Sequence, residues 1–481
     1  MRHRFSQQQE MGITPIADII IPKKSRHELA PVLAALQYVF ITPELNEQVF
    51  GLIEAKIKGT KQETGRKGMD MWAILVLATV RLTVNANYDA LEHFANYDKL
   101  IRQIIGVENK FNDGKTFGLQ TIKDNVSLLD EETINQVNEI VVGAAHQFVL
   151  KKKETLAIKS DTYVLETNVH FPTDLNLLLD AMRKAMDIMD YCRNNYGLKG
   201  WRKLKSWRSA LKSSQRSTSK ACASSSKNKD KAVHTEVSEY LRIAKELDLR
   251  ITQSSEALYL LPVTDKLFKK LQELDYYQQM GKKHIDLIER RLLKKELIPS
   301  SEKIYSVFEP HTEWISKGKQ NKKVELGHKI LISTCQHHFI LHHQVIEAKA
   351  DVELTIPLAD TLLSKYQNIE SWSMDKGFYS KENKELLTLA IPQLIMPKKG
   401  KLNVAEREQE SEKKFKKLRN HHSAVESNIN QLEHNGLDRC PDKGLENYKK
   451  YVSLGILSYN LHRFGKVLFA SMAKQESKQA A

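Results

Sequence analysis

Three acidic residues stand out for the chemistry they could share. Asp161 lies in Leu156-Ala157-Ile158-Lys159-Ser160-Asp161-Thr162-Tyr163-Val164, and Asp375 in Trp372-Ser373-Met374-Asp375-Lys376-Gly377-Phe378-Tyr379. Glu426 lies in His421-His422-Ser423-Ala424-Val425-Glu426-Ser427-Asn428-Ile429-Asn430. Carboxylate oxygens are the preferred ligands of hard cations such as Mg²⁺, which keep open positions for phosphate oxygens. Two such cations about 4 Å apart can clamp the attacking and leaving oxygens of a phosphodiester. That chemistry requires the acids to converge in space. Local patterns predict strand ends for Asp161 and Asp375 and a helix for Glu426.

The elements that must bring them together follow from periodicity. Residues 28–150 read as helices. Leu29, Val32, Leu33, Leu36, Val39 and Phe40 recur at three- and four-residue steps, and Asp130 is placed to cap the last helix of the set. A β-prone run begins at Thr155, with Asp161 near its exit, and Asp174 can cap a helix from Leu175 to Cys192. Residues 193–231 are rich in Lys and Arg, with Trp201 and Trp207 interleaved. This stretch reads either as a solvated helical hairpin with a mobile tip or as an arm whose cations meet phosphates and whose aromatics stack. Strands resume near Ile304. Val324–Ser333 and Phe339–Ala348 form an expected hairpin, and Ser371–Met374 an expected short strand. A helix over Lys381–Ala390 and a buried strand over Ile391–Pro397 follow. A polar helix from Val404 to Leu418 precedes the Glu426 helix, and an amphipathic helix from Leu445 to Phe469 ends the ordered part.

Composition narrows the partners. The 481 residues carry a formal charge of +15, which favours a polyanion such as nucleic acid. The four cysteines form no C-x-x-C pair, so neither a disulfide framework nor a zinc ribbon is indicated. The pairs His337-His338 and His342-His343 split across both faces of a strand and do not converge. The N-terminus shows no apolar signal region, and the run Ala73–Val80 is far shorter than the roughly 20 residues of a membrane span. A cytosolic protein is expected.

The acid neighbourhoods also carry a resemblance. Asp161-Thr162 with Glu166-Thr167-Asn168-Val169-His170-Phe171-Pro172-Thr173-Asp174 resembles the first-acid box of bacterial insertion-sequence transposases of the Asp-Asp-Glu (DDE) type. Ser373 to Ser380 is similar to their second-acid box. The run from His422 to Cys440, including His434-Asn435-Gly436-Leu437-Asp438-Arg439, resembles the third-acid region of the subgroup filed as not yet classified. Gly65-Arg66-Lys67-Gly68 resembles part of their N-terminal region. Other transposases of this type surround the last acid with Tyr-x₂-Arg-x₃-Glu-x₆-Lys. Here Arg419, His422, Glu426 and Glu433 hold those positions, so second-strand processing is open.

The resemblance implies an α+β fold. An RNase H-like mixed sheet is flanked by helices, with an N-terminal all-helical domain and a helical insertion after the first catalytic strand. The expected boundaries are an arm at 1–27, a helical DNA-binding domain at 28–150 and a catalytic domain at 151–177 and 300–470. A basic insertion at 178–299 and a disordered tail at 471–481 complete them. The implied activity is binding of terminal inverted repeats, metal-dependent cleavage of the ends and their joining to target DNA. Asp161, Asp375 and Glu426 are the implied catalytic and metal-holding residues, with two Mg²⁺ ions for which Mn²⁺ would substitute. Arg66, Lys67, Lys376, Lys398, Lys399, Arg419 and His422 are the expected DNA contacts. A homodimer on DNA and a nucleoid-associated bacterial location are implied. A nuclease that does not join, and a catalytically silent DNA-binding descendant, remain alternatives. Trp314 is a further candidate for base stacking.

Overall fold

The computed structural model describes residues 2–5, 11–58, 68–111, 114–151, 154–262, 264–316 and 323–479. Two compact units emerge: Met1–Asn168 with Ile315–Ala481, and Val169–Trp314. The first holds helices α1 (Leu29–Ile41), α2 (Pro43–Lys58), α3 (Met71–Thr83), α4 (Tyr88–Tyr97), α5 (Lys99–Ile104), α6 (Leu119–Val126) and α7 (Glu131–Val149), then strand β1 (Leu156–Thr167). The second is helical: α8 (Asp174–Tyr196), α9 (Leu204–Ala223), α10 (Lys229–Tyr259) and α11 (Asp265–Ile288). After β2 (Glu313–Ser316) the first unit resumes with β3 (Val324–Thr334), β4 (Ile340–Ile346), α12 (Asp351–Lys365), β5 (Ile369–Met374), α13 (Lys381–Ala390) and β6 (Gln393–Ile395). It closes with α14 (Val404–Ser411), α15 (Lys413–His421), α16 (Ser423–Leu432), β7 (Arg439–Cys440) and α17 (Leu445–Gln479).

These strands form one mixed, RNase H-like sheet. β1 runs antiparallel to β3 from Lys159↔Thr334 to Glu166↔Gly327, and β3 pairs antiparallel with β4. β5 lies parallel to β1 and β6 parallel to β5. Parallel neighbours need crossovers, which α12 and α13 provide. Gly327 is required by close approach: a Cβ there would lie 2.0 Å from the Leu165 carbonyl oxygen.

The first unit has one core. From Tyr448 to Leu461 every residue of α17 except Lys449 and Lys450 is buried, so this segment is not the amphipathic helix its sequence suggested but a helix enclosed on all sides. It packs on α1, α3, α7 and β4. Asn460 fastens it to the sheet: its Oδ1 accepts from Ile340 N–H at 3.0 Å and its Nδ2 donates to Ile340 O at 2.9 Å. Arg81 of α3, itself buried, donates to both Asp442 oxygens at 2.8 and 2.6 Å and stacks on Tyr88. The sequence boundary at 150 is therefore not a boundary between compact units, because the N-terminal helices and the sheet share the helix that closes the core. Helix α17 also runs through 471–479, where a disordered tail was expected.

Other local readings need adjusting. Every residue of α3 is buried, so within the helical DNA-binding domain expected at 28–150 this helix is core. Asp130 caps α7 as expected, accepting from Thr133 N–H at 3.0 Å. Helix α8 is capped by Thr173 instead of Asp174, whose carboxylate pairs with Arg291 at 2.9 Å. The polar helix expected over 404–418 breaks at Glu412, whose extended ψ of 138° separates α14 from α15.

The Val169–Trp314 unit has its own core of Leu178, Met182, Met186, Tyr240, Leu247 and Leu271. Trp201 belongs to it, 1 % exposed, with its indole N–H donating to Ser254 Oγ at 2.9 Å. It is therefore not free to stack on a base. The cations of α9 behave differently: Lys205, Lys212, Arg216 and Lys220 are exposed at steps of seven, four and four, one stripe of the helix.

Gly465 lies where α17 crosses α1, and a Cβ there would sit 1.8 Å from the Pro31 carbonyl oxygen. Gly465→Ala should destabilise this unit by about 3 kcal/mol. Gly143→Ala, on an exposed face of α7 with open space around the new methyl, should stabilise it by up to about 1 kcal/mol. Denaturant midpoints at unchanged slope would check both, and equal behaviour of the two variants would refute the close crossing.

Candidate active site

The parallel pairing of β1 with β5 ends at Ser160↔Met374. The next residues of the two strands are Asp161 and Asp375, so the ladder itself sets the two acids side by side. β1 continues beyond this point to Thr167, paired with β3, so Asp161 is in mid-strand instead of near its exit. It is the end of β5 that opens space in front of it. Lys159 pairs with Ser373 one step earlier on the same face, since side chains alternate along a strand. The opposite face is locked: Trp372 donates its indole N–H to Ser160 Oγ at 2.9 Å in the core.

Asp375 is exposed and leads into a tight turn, with Phe378 N–H donating to Asp375 O at 3.2 Å. The buried Phe378 anchors that turn, and its carbonyl accepts from Thr355 Oγ1 and Asn383 Nδ2. Asp161 is partly buried, and its Oδ1 accepts from Thr162 N–H at 2.7 Å. Burial, reinforced by the negative charges of Asp375, Asp351 and Glu426, pushes its carboxyl up to about 7 against the Thr162 hydrogen bond.

Glu426 comes from α16, which buries Val425, Ile429 and Leu432 and leaves Glu426 exposed. His422 joins α15 to α16 with helical dihedrals of −61° and −33°. Its Nδ1 lies 3.0 Å from Ser373 Oγ, while its Nε2 is buried without a partner. Burial lowers the imidazole's proton affinity, although Asp375 and Glu426 oppose the shift. At neutral pH the ring is neutral.

Asp375, Lys376, Arg419, Asn420, His422 and Glu426 line one cleft of about 460 Å³. The structure thus brings together two of the predicted acids and three of the predicted DNA contacts, with Asp161 beside them through the strand pairing. Lys398 is elsewhere engaged, its Nζ bonded to both Glu406 oxygens at 2.9 Å. Lys399 is exposed next to it. Arg66 and Lys67 lie outside the described residues. The four histidines do not converge: His337 and His338 lie in the turn between β3 and β4, not on a strand, and meet Glu154 and Asn428, while His343 on β4 meets Ser453. His342 is pulled down to about 4 by burial.

Sequence reasoning missed Asp351. It opens α12, accepts from Lys329 Nζ at 2.9 Å and from Thr162 Oγ1 at 3.4 Å, and lies against Gly377, where a Cβ would come 2.7 Å from its Oδ2. An acid in the first turn of a helix reads as a dipole partner, which hid it.

Residues 300–461 match the family model of the transposase DDE domain. Asp375 and Glu426 fall inside the matched segment, and Asp161 precedes it. No curated protein and no solved structure matches the chain.

Among the described residues, no group of three or more His, Cys, Asp or Glu side chains is already placed to hold a metal ion. The donor chemistry nevertheless suits a hard cation. Asp161, Asp375 and Glu426 offer only carboxylate oxygens, and their mutual repulsion is what a cation would relieve.

Asp161 provides a test without turnover. Its carboxyl titrates near 7 in the folded state and near 3.9 when unfolded. The raised value stabilises the fold fully below about pH 4, and that contribution is lost as pH rises through 7. Metal-free Asp161→Asn should therefore melt above the wild type at pH 8, with the difference vanishing near pH 4. Adding Mg²⁺ at pH 8 should raise the melting temperature of the wild type more than that of the variant. Parallel pH profiles with no differential Mg²⁺ effect would contradict the clustered acids.

Proposed function

We propose that this protein is a transposase that binds the terminal inverted repeats of its own element. It cleaves them by metal-dependent phosphodiester hydrolysis and joins the freed 3′-hydroxyl to target DNA by transesterification. The observation that carries the reading is the placement of Asp161 and Asp375 at the end of the β1–β5 ladder, with Glu426 in the same cleft as Asp375. These carboxylates would hold two Mg²⁺ ions, with Mn²⁺ as a substitute. When bound, the ions supply a hydroxide at neutral pH and stabilise the leaving oxygen.

The chain's own residues do the rest. Asp161 must lose its proton before it can serve as a ligand, so metal binding weakens as the pH falls below about 7. Lys376 and Arg419, at the cleft, are positioned to neutralise phosphates flanking the scissile bond. His422 stands where related transposases carry Arg. Being neutral, it can offer a hydrogen bond but no charge, so the grip on the strand is directional in place of electrostatic. The exposed α9 stripe of Lys205, Lys212, Arg216 and Lys220 supports contact with the DNA backbone. Two ends must be held at once, so a homodimer forms on DNA. No helix among the described residues is long and apolar enough to cross a membrane, and work on DNA places the protein at the bacterial nucleoid.

Incubating the protein with a labelled inverted-repeat duplex, Mg²⁺ and a plasmid tests the reading. Joined product should form, and Asp161→Ala, Asp375→Asn and Glu426→Gln should each lower it roughly a thousandfold or more. Nicking without joining would make the protein a nuclease, and binding without cleavage a silent descendant. The triple charge reversal Lys205→Glu, Lys212→Glu, Arg216→Glu should weaken binding uniformly across sequences and flatten its salt dependence by about one unit of log–log slope per contact. An unchanged slope would remove α9 from the interface.

A further inference from the structure

The run His434-Asn435-Gly436 follows α16 and takes no part in the cleft around Glu426. The chain kinks there: Asn435 leaves helical geometry and Gly436 has φ +99°, a conformation that favours glycine. The kink is held firmly. Tyr451 Oη donates to Gly436 O at 3.0 Å, and a Cβ on Gly436 would come 2.4 Å from Asn85 Oδ1. Asn85 itself has φ +47° just after α3. Two strained positions from distant parts of the sequence therefore brace one another.

They frame a cavity of about 430 Å³, lined by Arg26, His27 and Glu28, by Thr83, Val84 and Asn85, and by His434 and Asn435. Asn435 is 9 % exposed, yet its side-chain oxygen has no hydrogen-bond partner. A buried carboxamide oxygen left unsatisfied costs about 1–3 kcal/mol, so such groups are normally met by protein, water or ligand. His27 Nδ1 accepts from Leu29 N–H at 3.2 Å, which leaves its Nε2–H as a donor.

The lining selects the ligand. The end of α3 carries partial negative charge, and Glu28 adds a carboxylate, so a bare phosphate is poorly matched. Arg26, His27 and His434 offer donors and flat faces, while Asn435 offers a carboxamide. A nucleobase carries donors, acceptors and a π-face together, and a carboxamide pairs with the amino and ring-nitrogen edge of adenine. Asn435 follows Glu426 on one stretch of chain, through α16 and the kink, so the cavity belongs to the same compact unit as the acids. A base inside a duplex stack cannot enter a cavity, so the base must be unpaired.

We propose that this cavity receives one unpaired nucleobase, best matched by adenine, from DNA bound for cleavage. The inference rests on the DNA-cutting reading for the class of ligand, and its test reads binding, not cleavage. Full-length protein without divalent metal is titrated into labelled end duplexes carrying an abasic site at each position near the cut in turn. One abasic position should weaken wild-type binding about tenfold, the scale of one base-edge contact, and Asn435→Ala should lose the same tenfold on intact DNA and show no further loss at that position. 2-Aminopurine placed there should change its fluorescence on binding to the wild type only. Should Asn435→Ala fail to fold by circular dichroism, the exposed His434→Ala and Arg26→Ala must show the same loss.

An abasic profile that is flat, or identical in wild type and variant, overturns the proposal and leaves Asn435 hydrated. Binding of free dAMP with a flat abasic profile also overturns it, moving the site to free nucleotides. Cleavage by the wild type alongside a flat profile sinks the cavity alone. A wild type that neither binds nor cuts end DNA sinks the DNA-cutting reading as well.

Discussion

Everything at the site depends on where one ladder stops. The β1–β5 pairing ends one residue before each aspartate, so two carboxylates emerge together on a partly buried sheet face. Burial disfavours a bare charge there, the neighbouring acids add repulsion, and Asp161 is held protonated up to about 7. The fold tolerates this because the turn after Asp375 is anchored through Phe378, and because β1 is paired on its other side along most of its length. The acids cannot drift apart without breaking strand pairing or uncovering a buried aromatic ring. That rigidity is what a site for hard cations needs, since carboxylates fixed before the ion arrives lose little freedom when it binds.

The neighbours of the acids divide by charge. Asp351 is compensated by Lys329, so it contributes field without being a bare charge. Lys376 and Arg419 line the cleft, and His422 brings a neutral ring held by Ser373. Positive charge and a neutral hydrogen-bonding ring are thereby carried by different side chains of the cleft, an arrangement distinct from the Tyr, Arg and Lys pattern that the sequence departs from.

Much of this was legible beforehand because it is local. The order of strands and helices, the cap at Asp130, the helix Lys381–Ala390 and the acid neighbourhoods all follow from patterns a few residues long. What escaped the sequence depends on distant partners. Nothing near Leu445 says that its helix will be enclosed by α1, α3, α7 and the sheet, so its apolar density was read as one-sided. Asp351 looks like an ordinary helix-start acid until Thr162 and Lys329 are seen beside it. Trp201 among lysines suggested a stacking surface, yet it fills a core. Asn435 showed only as one residue of the run that resembles a third-acid region, since its isolation arises only when the end of α3 and the N-terminal segment close around it.

The enclosed helix also governs when the protein can exist. The unit bearing the acids is built from two separated stretches of chain, and its central helix follows every other element of that unit in the chain. The helices of Val169–Trp314 come from one continuous stretch and can pack on one another while the chain is still emerging. The sheet cannot bury its inner face until residues after Leu445 have left the ribosome. A partly made chain, or one cut short before that helix, holds the three acids without the core that sets them in place.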